Sequence, residues 1–240
     1  MLRIHLAFIL QKRSLLILIA SLLGFAGLFV YYADLGNGYQ ILDSDRIGYL
    51  NIYMSDCLNL QELLLPIIGI LIATTAYSEP DCKYLVYLIS DKKSKIRAVL
   101  TKPIAIALVE LALVWFNLLA FYLVCTLFTP FPLSFLEAAR LYSCLFLSML
   151  FYSLLQSILV TLVKNFMVML LPVALYFYLA EHDNYFQIDA SPLLKIANSI
   201  VPNLVAYSDG YKFYADYPLY LITISFLYLV QILLHNAIDI

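Results

Sequence analysis

Glu110 and Asn117 stand seven residues apart in an otherwise apolar stretch, IAIALVELALVWFNLLAFYLVCTLF (104–128). Seven residues is about two helical turns, so both side chains fall on one face of a helix. A carboxyl group in so apolar a segment is costly and makes Glu110, with Asn117, a candidate intramembrane functional site. The plainer reading is a neutral carboxyl hydrogen-bonded to Asn117 or to a Ser or Thr of a neighbouring helix. Asn117 and Gln156 read as interhelical hydrogen-bonding groups. Other chemistry is sparsely supplied. His5, His182 and His235 are scattered, so they support neither a metal site nor a catalytic dyad. Cys57, Cys82, Cys125 and Cys144 form no C-x-x-C or His-linked pattern and read as free thiols. The expectation is no catalytic residue, no metal and no cofactor in this chain.

The elements that position these residues are membrane helices. The chain is 64% hydrophobic and 12% charged, with a mean hydropathy of +0.90. A soluble domain is nearer half apolar and a quarter charged, so most of this surface must face lipid. The first apolar segment is too long for a cleavable signal peptide. A spanning helix takes about 20 apolar residues. Six segments qualify: 14–32, 58–77, 104–128, 141–163, 166–180 and 217–234. The fifth is separated from the fourth only by Lys164 and Asn165, which predicts a tight turn there. The fold class is an all-α polytopic membrane protein, with residues 1–240 forming one transmembrane domain.

Lys and Arg in the short connections set the orientation. One side collects Arg3, Lys12, Arg13, Lys83, Lys92, Lys93, Lys95, Arg97, Lys102 and Lys164; the other has only Arg46, Arg140, Lys195 and Lys212. Both termini are therefore expected in the cytoplasm and the protein in the plasma membrane. Residues 1–13 are apolar but too short to span, and read as an interfacial helix leading into the first span, or as a cytoplasmic extension of it. The outer loop 181–216 carries SPLLKIANSIVPNL. Ser191 is a candidate N-cap and Pro192 a first helical residue, with apolar residues at helical spacing behind them. A short amphipathic helix is expected there. The basic residues are few and lie beside membrane segments, so nucleic acid is not an expected partner.

The one large cytoplasmic connection is residues 78–103. Glu79-Pro80 should break the second span, and Pro80 can open a short helix. Its apolar run, residues 84–89, cannot cross a bilayer and needs cover from the membrane surface or from a partner protein. Asp91 can cap the next helix, which carries Lys92, Lys93, Lys95 and Arg97 toward the third span, and Pro103 should kink it. The basic cluster is a positive-inside signal, each residue attracted to anionic headgroups by about 1 kcal/mol.

This order of features resembles the permease subunits of type-2 ABC exporters, of the kind that export bacteriocin- or lantibiotic-like peptides. Those have six spans, an amphipathic N-terminal elbow helix and a coupling helix between spans two and three. Their loop runs from a Glu ending span two, through a short helix and a polar-basic turn, to a Lys before span three. Here it reads Glu79, CKYLVYLIS, DKKSKIRAVL and Lys102. Pro80 directly after the Glu, and Asp91-Lys92 where relatives carry a Pro-containing turn, depart from the pattern. The resemblance implies that Glu79, Lys83, Tyr84, Leu85, Tyr87, Leu88 and Lys92 couple to a separate cytosolic ABC ATPase. ATP and Mg would be bound by that partner, because the chain has no G-x-x-x-x-G-K-[ST] loop. It also implies a second permease, identical or related, and export of an amphipathic or lipophilic cargo, a peptide being favoured. Two other classes compete: a membrane-embedded enzyme, for which only Glu110 speaks, and an ATP-independent secondary transporter, for which Pro66 and Pro172 are the only broken-helix signals.

Overall fold

The computed structural model describes residues 1–10, 12–38, 46–77, 91–128, 133–163, 165–183, 196, 200–202, 204–207, 210–213 and 217–237. Seven α-helices are traced there: α1 Leu2–Ile9, α2 Lys12–Gly38, α3 Arg46–Tyr77, α4 Lys92–Phe128, α5 Phe135–Val163, α6 Leu170–Asp183 and α7 Tyr217–Ala237. Four contain stretches long and apolar enough to cross a membrane: Cys57–Tyr77, Lys93–Phe128, Phe135–Val163 and Tyr217–His235. Leu18–Ala33 and Met167–Tyr178 are shorter apolar helices. The protein is a multi-pass helical membrane protein.

One element departs from the all-helical expectation. Leu204–Tyr207 (β1) and Gly210–Phe213 (β2) pair antiparallel, with Leu204 opposite Phe213 and Tyr207 opposite Gly210. The sequence between them, Ser208-Asp209 followed by Gly210, has the composition of a two-residue hairpin connection, a signal overlooked in favour of the helical periodicity upstream. Of that upstream segment, Ile196 and Ile200 are helical and Val201 is a bend; its remaining residues, Ser191 among them, lie outside the described set.

Helix ends follow local chemistry. Asp91 caps α4: its Oδ1 accepts from the Ser94 N–H at 2.9 Å and its own N–H donates to Ser94 Oγ at 3.1 Å, a reciprocal box. These Ser94 hydrogen bonds hold the Asp91 carboxyl below its usual value. The helix then runs unbroken through Pro103. At the end of α5, Asn165 Oδ1 accepts from the Met167 N–H at 2.9 Å and starts a 3-10 turn, Phe166–Met169, that leads into α6. Lys164 lies outside the described residues, and Asn165 is the N-cap of the 3-10 turn that follows.

The core lies where α3 runs along α5, the most extensive helix pair, with α2 and α4 packed beside them. Phe29 of α2 meets Phe121 of α4 edge-on at 5.6 Å, and Phe121 meets Tyr142 of α5 at 5.6 Å. A second cluster joins Ile70, Phe151, Tyr152 and Tyr176, and the Tyr176 hydroxyl donates to the Glu62 carbonyl, tying α6 to α3. The helix α1 lies against α4 and buries His5 and Ile9, one turn apart on one face. Cys57, Cys125 and Cys144 are all buried.

Candidate functional site in the bundle interior

Glu79, Lys83, Tyr84, Leu85, Tyr87 and Leu88, the residues expected to couple to an ATPase, lie outside the described residues. Lys92 is the first residue of α4, and its side chain lies outside them too. The site the structure does describe is the one around Glu110.

Glu110 is 0% exposed on the inner face of α4. Its Oε2 accepts a hydrogen bond from Ser153 Oγ of α5 at 3.2 Å. Ser153 was not singled out by sequence; the expected partner was Asn117 or any Ser or Thr. Asn117 Nδ2 instead donates along its own helix to the Leu113 carbonyl at 2.9 Å. Two helical turns separate the residues on α4, about 10 Å of rise, too far for a direct bond. Of the two amides expected to bridge helices, Gln156 does so: its Nε2 donates to Thr74 Oγ1 of α3 at 2.8 Å, and Thr74 donates to the Ile70 carbonyl at 2.7 Å.

Gly69 brings α3 close to this layer. A Cβ there would stand 2.8 Å from Met149 Cγ and 3.2 Å from both the Met149 carbonyl oxygen and Glu110 Oε1. The absent side chain lets the α5 backbone and the Glu110 carboxyl approach α3. Glu110, Ser153, Thr74 and Gln156 therefore form a polar layer clamped between three apolar helices. Glu110 Oε1, Asn117 Oδ1 and Gln156 Oε1 have no hydrogen-bond partner among the described residues. Acceptors outnumber donors here, which suits a proton, a water or a donor-bearing group.

A serine is activated by an adjacent base, commonly an imidazole, and the two histidines whose side chains are described lie elsewhere: His5 on α1 and His235 in the last turn of α7. Among the described residues no three of His, Cys, Asp or Glu gather into a metal site.

The basic cluster separates into two kinds of residue. Lys93 and Arg97 are exposed and Lys95 half-buried. Lys102 is only 3% exposed, with its Nζ 4.2 Å from the centre of the Tyr77 ring. A periodic reading of charge could not tell these apart, because burial of Lys102 depends on where α3 ends. Glu137 and Arg140, three apart at the start of α5, are both exposed.

The Gln156–Thr74 bond is testable by a double-mutant cycle with Gln156→Leu and Thr74→Val, read by unfolding in mixed micelles. The expected coupling is about 1 kcal/mol, in the range of interhelical hydrogen bonds in membranes. A coupling near zero would remove this bond from the interface.

No protein-family model matches the chain, and no curated protein matches its sequence.

Proposed function

We propose that this chain is the membrane-spanning permease subunit of an ATP-binding cassette exporter. A separate cytosolic ATPase, binding ATP and Mg, drives it. In this reading there are six spans, drawn from α2 to α7, with both termini in the cytoplasm of a plasma-membrane protein. The helix α1 is the elbow, and residues 78–103 form the coupling loop through Glu79, Lys83, Tyr84, Leu85, Tyr87, Leu88 and Lys92. A second permease copy, or a related chain, completes the pathway, and the cargo is amphipathic or lipophilic, best matched by a peptide.

One observation carries the reading. The two long apolar helices α3 and α4 flank the stretch 78–91, and α4 starts with exposed Lys93 and Arg97. An apolar run, residues 84–89, sits between these ends in the sequence. A short apolar segment at that place in the sequence needs cover from the membrane surface or from a partner protein, and in this reading an ATPase surface supplies it. The packing of α1 on α4 is consistent with the elbow reading.

The test is purification of the chain, gently solubilised, from its native membrane. An ATPase carrying a phosphate-binding loop is expected to come down with it in near-equal amount. Transport by the lone chain in vesicles without nucleotide would overturn the reading and favour a gradient-driven transporter.

A further inference from the structure

Helix α4 carries Pro103 in its interior. Proline has no N–H, so the carbonyl of Val99 loses its helical donor, and the ring crowds that same turn. Two side chains from other helices bond the backbone there. The imidazole of His5 on α1 hydrogen-bonds the backbone of Ala98. The hydroxyl of Tyr228 on α7 donates to the Leu100 carbonyl at 3.0 Å. On the same turn Lys102 places its ammonium over the ring of Tyr77, the last residue of α3, and that ring meets His235 of α7 edge-on at 5.8 Å. Ala98, Leu100 and Lys102 of α4 thus contact α1, the middle of α7 and the end of α3, whose Tyr77 in turn meets the end of α7.

These contacts are buried and specific. His5, Tyr77, Lys102 and His235 are all buried. Burial first, and the Lys102 ammonium second, hold the His5 imidazole down at about 4, so it is neutral in the cytosol and bonds as a neutral group. A desolvated ammonium over an aromatic face is stronger than the same pair in water. Nearby on α7, Gln231 is buried with both amide atoms lacking a partner among the described residues, and His235 Nδ1 likewise. Buried groups left without partners are costly.

We propose that residues 98–103 of α4 form a mechanical junction through which displacement of the basic start of α4 moves α1, the end of α3 and the end of α7 as one unit. Lys102, Tyr77 and Tyr228 are its positioning residues. The junction rests on the permease reading only for what drives the displacement, which would be the ATPase acting on residues 78–91. Its cooperativity belongs to this chain alone and is tested without the ATPase.

The experiment is hydrogen exchange of the full chain in phospholipid nanodiscs, reading amides 2–9 and 231–237. Lys102→Met is expected to raise exchange in both segments by roughly tenfold, the size of a lost desolvated cation–π contact acting on one cooperative unit. Lys102→Arg and Tyr77→Trp keep a cation over an aromatic face and are expected to stay near wild type. Tyr228→Phe removes one hydroxyl and leaves packing intact, so it guards against simple misfolding. It touches α4 and α7 only, yet it is expected to loosen α1 as well. Loosening of α7 alone by Tyr228→Phe would make the contacts independent and overturn the junction. So would wild-type protection of α1 in Lys102→Met, or failure of Lys102→Arg to restore it. Failure of the permease reading would show separately, as absence of a co-purifying ATPase.

Discussion

Leu88→Asp, like Leu85→Asp, is expected to leave the chain inserted in the membrane and to abolish ATP-driven export. Both residues belong to an apolar run too short to span. Membrane insertion is decided by the long apolar helices, which neither substitution touches. An aspartate buried at a protein interface loses its hydration without gaining a partner. Central apolar anchors of an interface each cost about 2 kcal/mol or more when lost, roughly thirty-fold in affinity. The measurement is export in reconstituted vesicles containing the ATPase, beside the amount of ATPase retained on the purified chain. Lys93→Ala, at an exposed position, is the control and is expected to change either readout by less than about twofold, since an exposed charge contributes little. Full ATP-driven export by Leu88→Asp would mean that the run lies on the membrane surface and docks nothing.

Gly69→Leu is expected to unfold the bundle or to lower its melting temperature steeply. Its first carbon alone would stand 3.2 Å from the Met149 carbonyl oxygen. That oxygen is backbone, so relief requires α3 and α5 to separate. These two helices share the most extensive helix interface among the described residues, and separation opens the Gln156–Thr74 hydrogen bond with it. Gly69→Ala adds one carbon. Overpacking there costs about 1–3 kcal/mol, offset by about 1 kcal/mol of helix propensity. A modest net loss is expected, against a far larger one for leucine. Thermal unfolding in detergent, followed by intrinsic fluorescence, separates the two. A leucine variant as stable as wild type would show that α3 and α5 do not meet at Gly69.

The fate of Glu110 shows how far the sequence reaches. Its conspicuous place in an apolar stretch, and its need for a hydrogen-bonding partner, whether Asn117 or a Ser or Thr, follow from the cost of a carboxyl in hydrocarbon. That the partner is Ser153 does not follow, because it depends on the rotation of α5 against α4. Span four carries Ser148, Ser153, Gln156 and Ser157, a polar face at helical spacing that could have pointed to it. Asn117 illustrates the opposite case. Its amide suits an interhelical bond, yet it bonds within its own helix.

Local chemistry was legible wherever neighbours in sequence decide the outcome. The Asp91 cap, the turn at Asn165 and the apolar lengths of the helices all depend on residues within one or two turns. The hairpin β1–β2 was equally local but was hidden beside a stronger helical period. Charge alone placed Lys102 with Lys93 and Arg97. Only the meeting of α1, α3, α4 and α7 buries it against Tyr77, since a side chain's burial is fixed by the surfaces brought to it and not by its own neighbours along the chain. The sequence by itself determined that this is a multi-pass helical membrane protein, because hydrocarbon admits little else from so apolar a chain. The tertiary structure decided which polar residues share a layer, where glycine must let two helices touch, and which of the cluster's cations is buried against an aromatic ring.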